Sequence, residues 1–310
     1  MQKKPLIIIG GATGVGKTAL SVQLAKKIGG EIISADSMQV YKGFDIGTAK
    51  ITKEETDGVP HFLIDEYEPD EEFNVYEFKN KAKEYAGQIT ERGHIPIVVG
   101  GTGFYIQALL YDIDFTEEET DKSYREELEK LPAEKLYSML TGIDPEAAKA
   151  IHPNNVKRVI RALEYNHETG DIISRHNSEQ REKESPYNYI YLILNRSRDV
   201  IYKRIEQRVD QMLEEGLVDE VKGLLDKGVS PDALSMQGLG YKEIVSYLSG
   251  ECTLDEAVYK LKLNTRHFAK RQITWFKREK EAIWLNYEDF DDLDEMLNEI
   301  ISLLKEKRIV

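Results

Sequence analysis

A glycine-rich segment near the beginning of the chain constrains the fold more strongly than any other feature. It follows the apolar run Leu6–Ile9 and precedes Ala19–Ile28, whose pattern predicts a helix. Its residues match Gly-x-x-x-x-Gly-Lys-Thr and are Gly11, Ala12, Thr13, Gly14, Val15, Gly16, Lys17 and Thr18. Between a strand and a helix, such glycines let several backbone N–H groups point into one concavity at the positive end of the helix dipole. The segment therefore predicts a strand–loop–helix unit that binds a di- or triphosphate.

Two side chains at the end of this loop favour phosphate binding over a chance glycine-rich turn. Lys17 supplies a mobile cation for terminal phosphates, and the hydroxyl of Thr18 is a ligand for Mg²⁺. The loop predicts a phosphate-bearing ligand, and the reaction must be inferred from other residues.

Composition indicates a reducing compartment. The 310 residues suffice for one large or two modest domains and include a single cysteine, Cys252. One cysteine excludes an internal disulfide framework and a cysteine-rich zinc site. No apolar run approaches the length of a membrane span, and no signal peptide fits before the first predicted strand. We expect a cytoplasmic protein without a membrane partner.

The charge of the chain is acidic but unevenly distributed. A formal net charge of −14 argues against a nucleic-acid partner. Basic residues nevertheless concentrate in residues 260–280, with a smaller group at Lys157, Arg158 and Arg161. Because a basic run is usually a solvated helix face, charge alone leaves nucleic-acid binding open.

Short apolar runs alternate with helical patterns over the first third of the chain. The predicted strands are Leu6–Ile9, Glu31–Ala35, His61–Ile64 and Ile95–Val99, followed later by Tyr187–Leu194 and Ala282–Leu285. This alternation predicts an α/β fold with a doubly wound, mostly parallel sheet. From Asp112 to about Ser185 the chain is charged and helix-prone. We therefore predict a phosphate-loop core of residues 1–111 and 186–310, with a helical insertion over residues 112–185.

Two predicted strands end in an aspartate, and ligands bind at the carboxyl ends of parallel strands. Asp36 follows Glu31–Ala35, the strand that we expect beside the strand of the phosphate loop. A carboxylate there is a candidate general base, and the alternative is an aspartate that caps the strand end. Asp65 precedes acidic, loop-like sequence, so we favour a structural role for it.

Further polar groups are expected at the same edge of the sheet. Gly100–Gly103 offers backbone donors and the hydroxyl of Thr102, which is also a suitable helix N-cap. Arg204 and Arg208 lie about one helical turn apart, so they either clamp a phosphate or form a solvated face. Spacing alone does not decide between these alternatives.

A long basic helix is predicted over Leu254–Glu279. Its large apolar residues Leu261, Phe268 and Trp275 recur at heptad spacing, and we interpret them as core. For Trp275, packing is favoured over stacking on a nucleic-acid base. The histidines are scattered and show no spacing typical of a metal site.

Several segments together resemble the bacterial tRNA dimethylallyltransferases, also called tRNA isopentenyltransferases. The matching segments span nearly the whole chain and are Gly11–Thr18, Ile33–Tyr41, Asp45–Lys50, Val99–Thr102, Ile151–Asn155 and Arg271–Phe276. Asp45–Lys50 and Lys270–Trp275 are far more specific than a phosphate loop. One departure is Ala12, where the family usually has proline, and we expect the loop donors to be unaffected.

The resemblance implies a prenyl transfer reaction. The dimethylallyl group would move from dimethylallyl diphosphate to N6 of adenosine 37, next to the anticodon of tRNA, with release of diphosphate. The loop would cradle the diphosphate, while Lys17 and a Mg²⁺ ion held by Thr18 neutralise the charge of the leaving group. The resemblance further implies that Asp36 takes the N6 proton and that Arg208 helps to hold the diphosphate. The target base must leave the anticodon stack to react.

The resemblance also implies where tRNA binds. The implied contacts are Asp36, Ser37, Met38, Gln39, Thr102, Arg125, Lys157, Arg158, Val159, Ile160, Arg161, Gln237, Gly238, Leu239, Gly240, Tyr241 and Lys242, with the basic helix near Arg266–Arg278. The predicted insertion would grip the anticodon stem-loop. Local basic surfaces would then meet the phosphate backbone, while the acidic remainder discourages indiscriminate binding. We expect the protein to act as a monomer.

Other functions are compatible with the loop itself. A P-loop small-molecule kinase is the main alternative, in which the insertion would be a lid. A nucleotide-driven switch is disfavoured because no Asn-Lys-x-Asp motif occurs. A prenyltransferase that acts on free adenylate would not need the basic carboxyl-terminal helix.

Overall fold

A parallel sheet carries the phosphate loop. The computed structural model describes residues 3–115 and 122–310, and in this part of the chain the sheet has six strands. They are β1 (Lys4–Gly11), β2 (Gly30–Ala35), β3 (His61–Phe62), β4 (Ile95–Gly100), β5 (Tyr187–Asn195) and β6 (Ile283–Asn286). The order is β3-β2-β4-β1-β5-β6, and every pairing is parallel. The predicted α/β fold with a parallel sheet is confirmed.

Helices and the loops between them form the remainder of the described chain. The helices are α1 (Lys17–Ile28), α2 (Val75–Glu91), α3 (Gly103–Leu110), α4 (Lys122–Glu129), α5 (Ala133–Ile143), α6 (Pro145–Ala150), α7 (Val156–Thr169), α8 (Ile173–Glu182), α9 (Arg198–Glu214), α10 (Leu217–Asp226), α11 (Tyr241–Leu248), α12 (Leu254–Phe276) and α13 (Leu293–Glu306). All of Leu6–Ile9 in β1 is buried, so both faces of the sheet are covered at its centre. On one face, Ile7 and Ile9 join a core cluster with Leu20 of α1 and Leu297 of α13.

The strand order corrects one expectation. β4 pairs with β1, and β2 pairs with the other side of β4, so the strand that precedes Asp36 is not beside the strand of the phosphate loop. Local sequence patterns identify strands, whereas their order depends on pairing between distant segments. The carboxyl ends of β1, β4 and β2 are aligned, because Gly10 lies opposite Gly100 and Gly100 lies opposite Ala35. Asp36 therefore still lies at the same end of the sheet as the phosphate loop, where the strands have their carboxyl ends.

The chain divides into two compact units. The first comprises Met1–Leu110 and Pro186–Val310, and the second comprises Tyr111–Ser185. The second unit contains α4–α8, whose apolar faces bury Leu128, Leu136 and Leu163 in a common core. Residues 1–2 of the predicted core and 116–121 of the predicted insertion lie outside the described residues. Among those that are described, no helix is both long enough and apolar enough to cross a membrane.

Helix α12 buries a different face from the predicted one. Leu261 is buried, but Phe268 and Trp275 are only half-buried. The residues that pack inward further along the helix are Ala269, Gln272 and Phe276. An α-helix has 3.6 residues per turn, so residues seven apart do not stay on quite the same face of a straight helix. The buried residues of α12 therefore depart from heptad spacing. The interpretation of Phe268 as a core residue was wrong.

Candidate active site

The phosphate loop joins β1 to the amino-terminal end of α1. Gly11, Gly14 and Gly16 have φ values of 150°, 78° and 111°, in the region that favours glycine. A Cβ on Gly16 would lie 2.8 Å from the Tyr287 hydroxyl oxygen, so this position also lacks space for a side chain. The loop therefore needs its glycines both for its turn and for its packing.

Side chains from outside the loop bind its carbonyl groups. Arg196 Nε donates to Val15 O at 3.0 Å, and the Arg196 guanidinium lies 3.6 Å from the Tyr287 ring centroid. The Tyr287 hydroxyl donates to Gly16 O at 3.0 Å, and Arg204 Nε donates to Gly14 O at 2.7 Å. Arg204 thus supports the loop backbone, a role that neither of the two alternatives left open from the sequence described.

Gln272 connects the loop to the segment that follows β4. Its side-chain oxygen accepts from Thr13 N at 2.9 Å, and its side-chain nitrogen donates to Gly101 O at 3.0 Å. Gln272 is 6% exposed, so both hydrogen bonds are shielded from water. Sequence analysis missed this role, and the only signal was a polar residue within the specific Arg271–Phe276 segment.

Lys17 is the cation at the bottom of the loop. Its ammonium donates to Gly11 O at 2.9 Å and to Ala12 O at 3.0 Å. Burial lowers the pKa of Lys17 to about 8, with a further lowering by Arg208 that the carboxylate of Asp36 opposes. The departure from proline at position 12 leaves the Ala12 carbonyl available to Lys17.

Arg208 extends from α9 to the opposite side of the loop. One guanidinium nitrogen donates to the Thr13 hydroxyl at 3.4 Å and the other to Thr48 O at 3.2 Å. Burial lowers the pKa of Arg208, and the nearby Asp36 carboxylate raises it. Guanidinium groups are so basic that Arg208 stays a cation across the physiological range. Arg208 and Lys17 therefore both bring positive charge to the loop.

Asp36 caps the turn after β2. Its Oδ1 accepts from Met38 N at 2.9 Å and from Gln39 N at 3.4 Å. The capping alternative raised from the sequence is therefore real, but the carboxylate also lines a cavity with Lys17 and Arg208. The second strand-end aspartate, Asp65, binds the ammonium of Lys50, in agreement with the predicted structural role.

Two cavities meet at this carboxylate. The first, of about 930 Å³, begins at Thr13, Gly14, Gly16, Lys17 and Thr18 of the loop. The second, of about 530 Å³, lies between the Asp36 turn, α3, α9, α12 and the segment before α11. Both cavities are lined by Thr13, Asp36, Thr48, Arg208 and Phe268. A ligand held at the loop can therefore meet a second ligand beside Asp36.

Comparisons with known proteins identify the family. The sequence model described as IPP transferase matches residues 39–279, and the model described as isopentenyl transferase matches residues 4–71. A tRNA dimethylallyltransferase of Lachnoclostridium phytofermentans is 58% identical, with 99% of each chain covered. This chain belongs to the IPP transferase family.

Solved structures of IPP transferase relatives share the fold. The full-length tRNA isopentenylpyrophosphate transferase of Bacillus halodurans is 48% identical with a TM-score of 0.76, over 99% of this chain and 98% of that chain. A eukaryotic dimethylallyltransferase described as acting on tRNA gives a TM-score of 0.83 at 32% identity, over 96% of this chain and 80% of that chain. The resemblance drawn from the sequence motifs is confirmed.

The second cavity is surrounded by most of the first unit's residues that the resemblance implies as tRNA contacts. Those that line it are Asp36, Ser37, Met38, Thr102, Gln237, Gly238, Leu239 and Lys242. Gln39 lines the first cavity instead, and its side-chain nitrogen donates to Thr48 O at 3.2 Å. The structure thus brings together residues from three distant parts of the chain.

Four of the implied contacts are corrected by burial. Tyr241 is 0% exposed, and the preceding Gly240 is also buried. In the second unit, Val159 and Ile160 belong to the apolar core of α7. These residues cannot present a side chain to tRNA, and they support their exposed neighbours instead. A motif match covers whole segments, whereas only one face of a helix reaches the surface.

The remaining implied contacts lie on the surface of the second unit. Lys157, Arg158 and Arg161 are exposed on α7. Arg125 is exposed on α4 and lies 3.1 Å from the Glu129 carboxylate and 3.7 Å from that of Glu164. These four cations are therefore accessible to a solute.

Proposed function

We propose that this protein is a tRNA dimethylallyltransferase, which transfers the dimethylallyl group of dimethylallyl diphosphate to N6 of adenosine 37 in tRNA and releases diphosphate. The observation that carries the proposal is the junction of the two cavities at Thr13, Asp36 and Arg208. One cavity begins at a phosphate loop, and the other is surrounded by segments that match tRNA contacts of the family. The name of the relative that is 58% identical supports the same reaction.

The donor diphosphate is proposed to occupy the first cavity. Breaking the C1–O bond of an allylic diphosphate builds negative charge on the departing group. The loop N–H groups, the Lys17 ammonium and the Arg208 guanidinium are fixed partners for this charge. Because their positions are set before the reaction, they stabilise the transition state without reorganisation.

A Mg²⁺ ion is proposed to bind at the same end of the cavity. Thr18 is exposed and lines the cavity beside Lys17. The described residues contain no group of three or more histidine, cysteine, aspartate or glutamate side chains that would hold a metal ion. The Thr18 hydroxyl, water and diphosphate oxygens would hold the proposed ion. When bound, the ion neutralises charge on the diphosphate.

The acceptor adenine is proposed to occupy the second cavity. Its walls include the aromatic rings of Phe73, Tyr105 and Phe268 and the aliphatic Leu261, which suit a planar base. A base inside the anticodon stack cannot reach a buried carbon atom, so the adenine must leave the stack. N6 then attacks C1 as the C1–O bond breaks, and the N6 proton passes to Asp36.

The rest of the tRNA is proposed to bind the exposed cations of both units. Lys270 and Arg271 are exposed on α12, and Arg271 also lines the second cavity. Lys157 and Arg158 of the second unit would bind phosphates of the anticodon stem-loop. We also propose that the protein acts as a monomer, and the tRNA substrate points to the cytoplasm.

A transfer assay tests the proposal. The protein is incubated with Mg²⁺, radiolabelled dimethylallyl diphosphate and an unmodified tRNA transcript that carries adenosine 37. The matched control is the same transcript with guanosine at position 37, and a parallel reaction supplies ATP with small acceptors. We expect label in the adenosine transcript alone. ATP consumption without labelled tRNA would contradict the proposal and favour a small-molecule kinase.

A further inference from the structure

The segment Asp45–Thr48 supplies a carbonyl group to the junction of the two cavities. Thr48 O accepts from Arg208 at 3.2 Å and from the Gln39 side chain at 3.2 Å. Arg208 also donates to the Thr13 hydroxyl in the phosphate loop, at 3.4 Å. The Thr48 carbonyl is therefore a second hydrogen-bond partner of the Arg208 guanidinium, besides the hydroxyl of the loop residue Thr13.

One carboxylate holds the backbone of this segment. Glu220 of α10 accepts from three consecutive amides, namely Asp45 N at 3.1 Å, Ile46 N at 2.7 Å and Gly47 N at 3.1 Å. Hydrogen bonds to an ionised acceptor are among the strongest that a protein forms. Glu220 therefore holds the backbone of the segment that ends at Thr48 in one position.

Tyr241 connects the same carboxylate to the acceptor side. Its hydroxyl donates to Glu220 Oε1 at 2.6 Å, and its ring centroid lies 4.6 Å from that of Phe44. A Cβ on Gly47 would lie 2.6 Å from this ring, so glycine is required where the segment crosses Tyr241. Tyr241 begins α11, and Gln237–Leu239 just before it line the second cavity.

We propose that Glu220 is a positioning residue for the transfer reaction. It holds the Asp45–Thr48 segment so that the Thr48 carbonyl keeps Arg208 against Thr13, where the guanidinium meets the departing diphosphate. Through Tyr241, the same carboxylate ties this segment to the residues around the acceptor base. The inference rests on the proposed function, because it takes Arg208 to be a ligand of the diphosphate.

The Glu220→Gln substitution tests the inference. Glutamine keeps the shape of the side chain but turns an NH₂ group toward backbone N–H groups, so the segment loses acceptors. We expect kcat/KM for dimethylallyl diphosphate to fall about 10- to 100-fold, as a small misplacement of a reacting group does. The matched control is Asp219→Asn, because Asp219 and Glu220 are the two acids in the first turn of α10. Asp219 is exposed, and its variant should keep the wild-type value within about twofold.

A double-mutant cycle with Arg208→Lys separates positioning from a general loss of stability. If Glu220 acts through Arg208, Glu220→Gln adds less than about twofold in the Arg208→Lys background. The inference would be overturned if the kcat/KM losses of the two single variants multiplied fully in the double variant. It would also be overturned if Glu220→Gln were as active as Asp219→Asn. Should Glu220→Gln fail to fold, Tyr241→Phe removes only the hydroxyl and enters the same cycle, where we expect a smaller loss in the same direction.

A binding measurement separates this inference from the proposed function. Calorimetry with inorganic diphosphate and Mg²⁺ reports on Arg208 without tRNA or transfer. We expect weaker binding in Glu220→Gln than in Asp219→Asn, while thermal unfolding shows both variants folded. A wild-type protein that binds diphosphate but labels no tRNA would contradict the proposed function alone. Equal diphosphate affinities in the two variants would contradict the inference alone.

Discussion

At the scale of single residues, the Asp36 carboxylate caps a turn and is also the proposed base. Oδ1 accepts the backbone N–H groups of Met38 and Gln39, which orients the carboxylate at the end of β2. The proposed proton transfer requires the same group at the junction of the cavities. A base fixed by its own turn needs no further rearrangement when the adenine arrives.

Asparagine at position 36 separates these two tasks. The Asp36→Asn side chain still offers an oxygen to Met38 N and Gln39 N, so the turn is kept. It cannot take a proton, so kcat should fall about 10²- to 10⁴-fold while tRNA affinity stays near the wild-type value. Single-turnover transfer and filter binding measure the two quantities. The exposed Asp70 provides the control Asp70→Asn, and an Asp36→Asn enzyme as active as this control would rule out the base.

Lys17 predicts a pH dependence of donor binding. Burial lowers the pKa of Lys17 to about 8, so the free enzyme loses this positive charge as pH rises through that value. At saturating tRNA, KM for dimethylallyl diphosphate should therefore be constant below pH 8 and rise above it. The diphosphate titrates as well, and the Lys17→Arg variant, which stays charged, corrects for that. A wild-type profile that parallels the Lys17→Arg profile would contradict the prediction.

At the scale of elements, Gln272 connects α12 to the phosphate loop. Replacement by alanine would leave Thr13 N and Gly101 O without the partners they have at 2.9 Å and 3.0 Å. We expect Gln272→Ala to lower the free energy of unfolding by about 1–3 kcal/mol for each group left without a partner. We also expect it to raise KM for dimethylallyl diphosphate. Urea unfolding and steady-state kinetics measure the two effects. The exposed Thr274 on the same helix gives the control Thr274→Ala, and equal KM values in the two variants would remove the link to the loop.

The elements also show where sequence reasoning succeeds and where it stops. β1, the phosphate loop and α1 follow from patterns within about 25 residues, so their existence and order could be predicted. The position of β4 between β1 and β2 could not, because it depends on pairing between segments far apart in sequence. The same limit applies to α12, where the predicted stripe included Phe268 and missed Gln272. Which residue of a helix faces a ligand depends on what packs beside it.

At the scale of the whole molecule, charge is the property that a tRNA ligand must overcome. The chain has a formal net charge of −14, so distant parts of its field repel a polyanion. At physiological ionic strength this repulsion is screened beyond roughly 8 Å. Exposed cations close to the cavities can therefore dominate, and Lys270 and Arg271 occupy such positions on α12.

The salt dependence of tRNA binding tests this view. Each phosphate contact that is lost should reduce the slope of log K against log salt by about 1, so Lys270→Ala with Arg271→Ala should reduce it by about 2. The matched control removes the exposed Lys305 and Lys307 near the carboxyl terminus, which changes the net charge equally. If tRNA binds through local phosphate contacts on α12, the slope in the control variant should not change. If only the net charge of the protein matters, the slope should change equally in the two double variants. Equal slopes in the two double variants would mean that tRNA does not meet α12 through these cations.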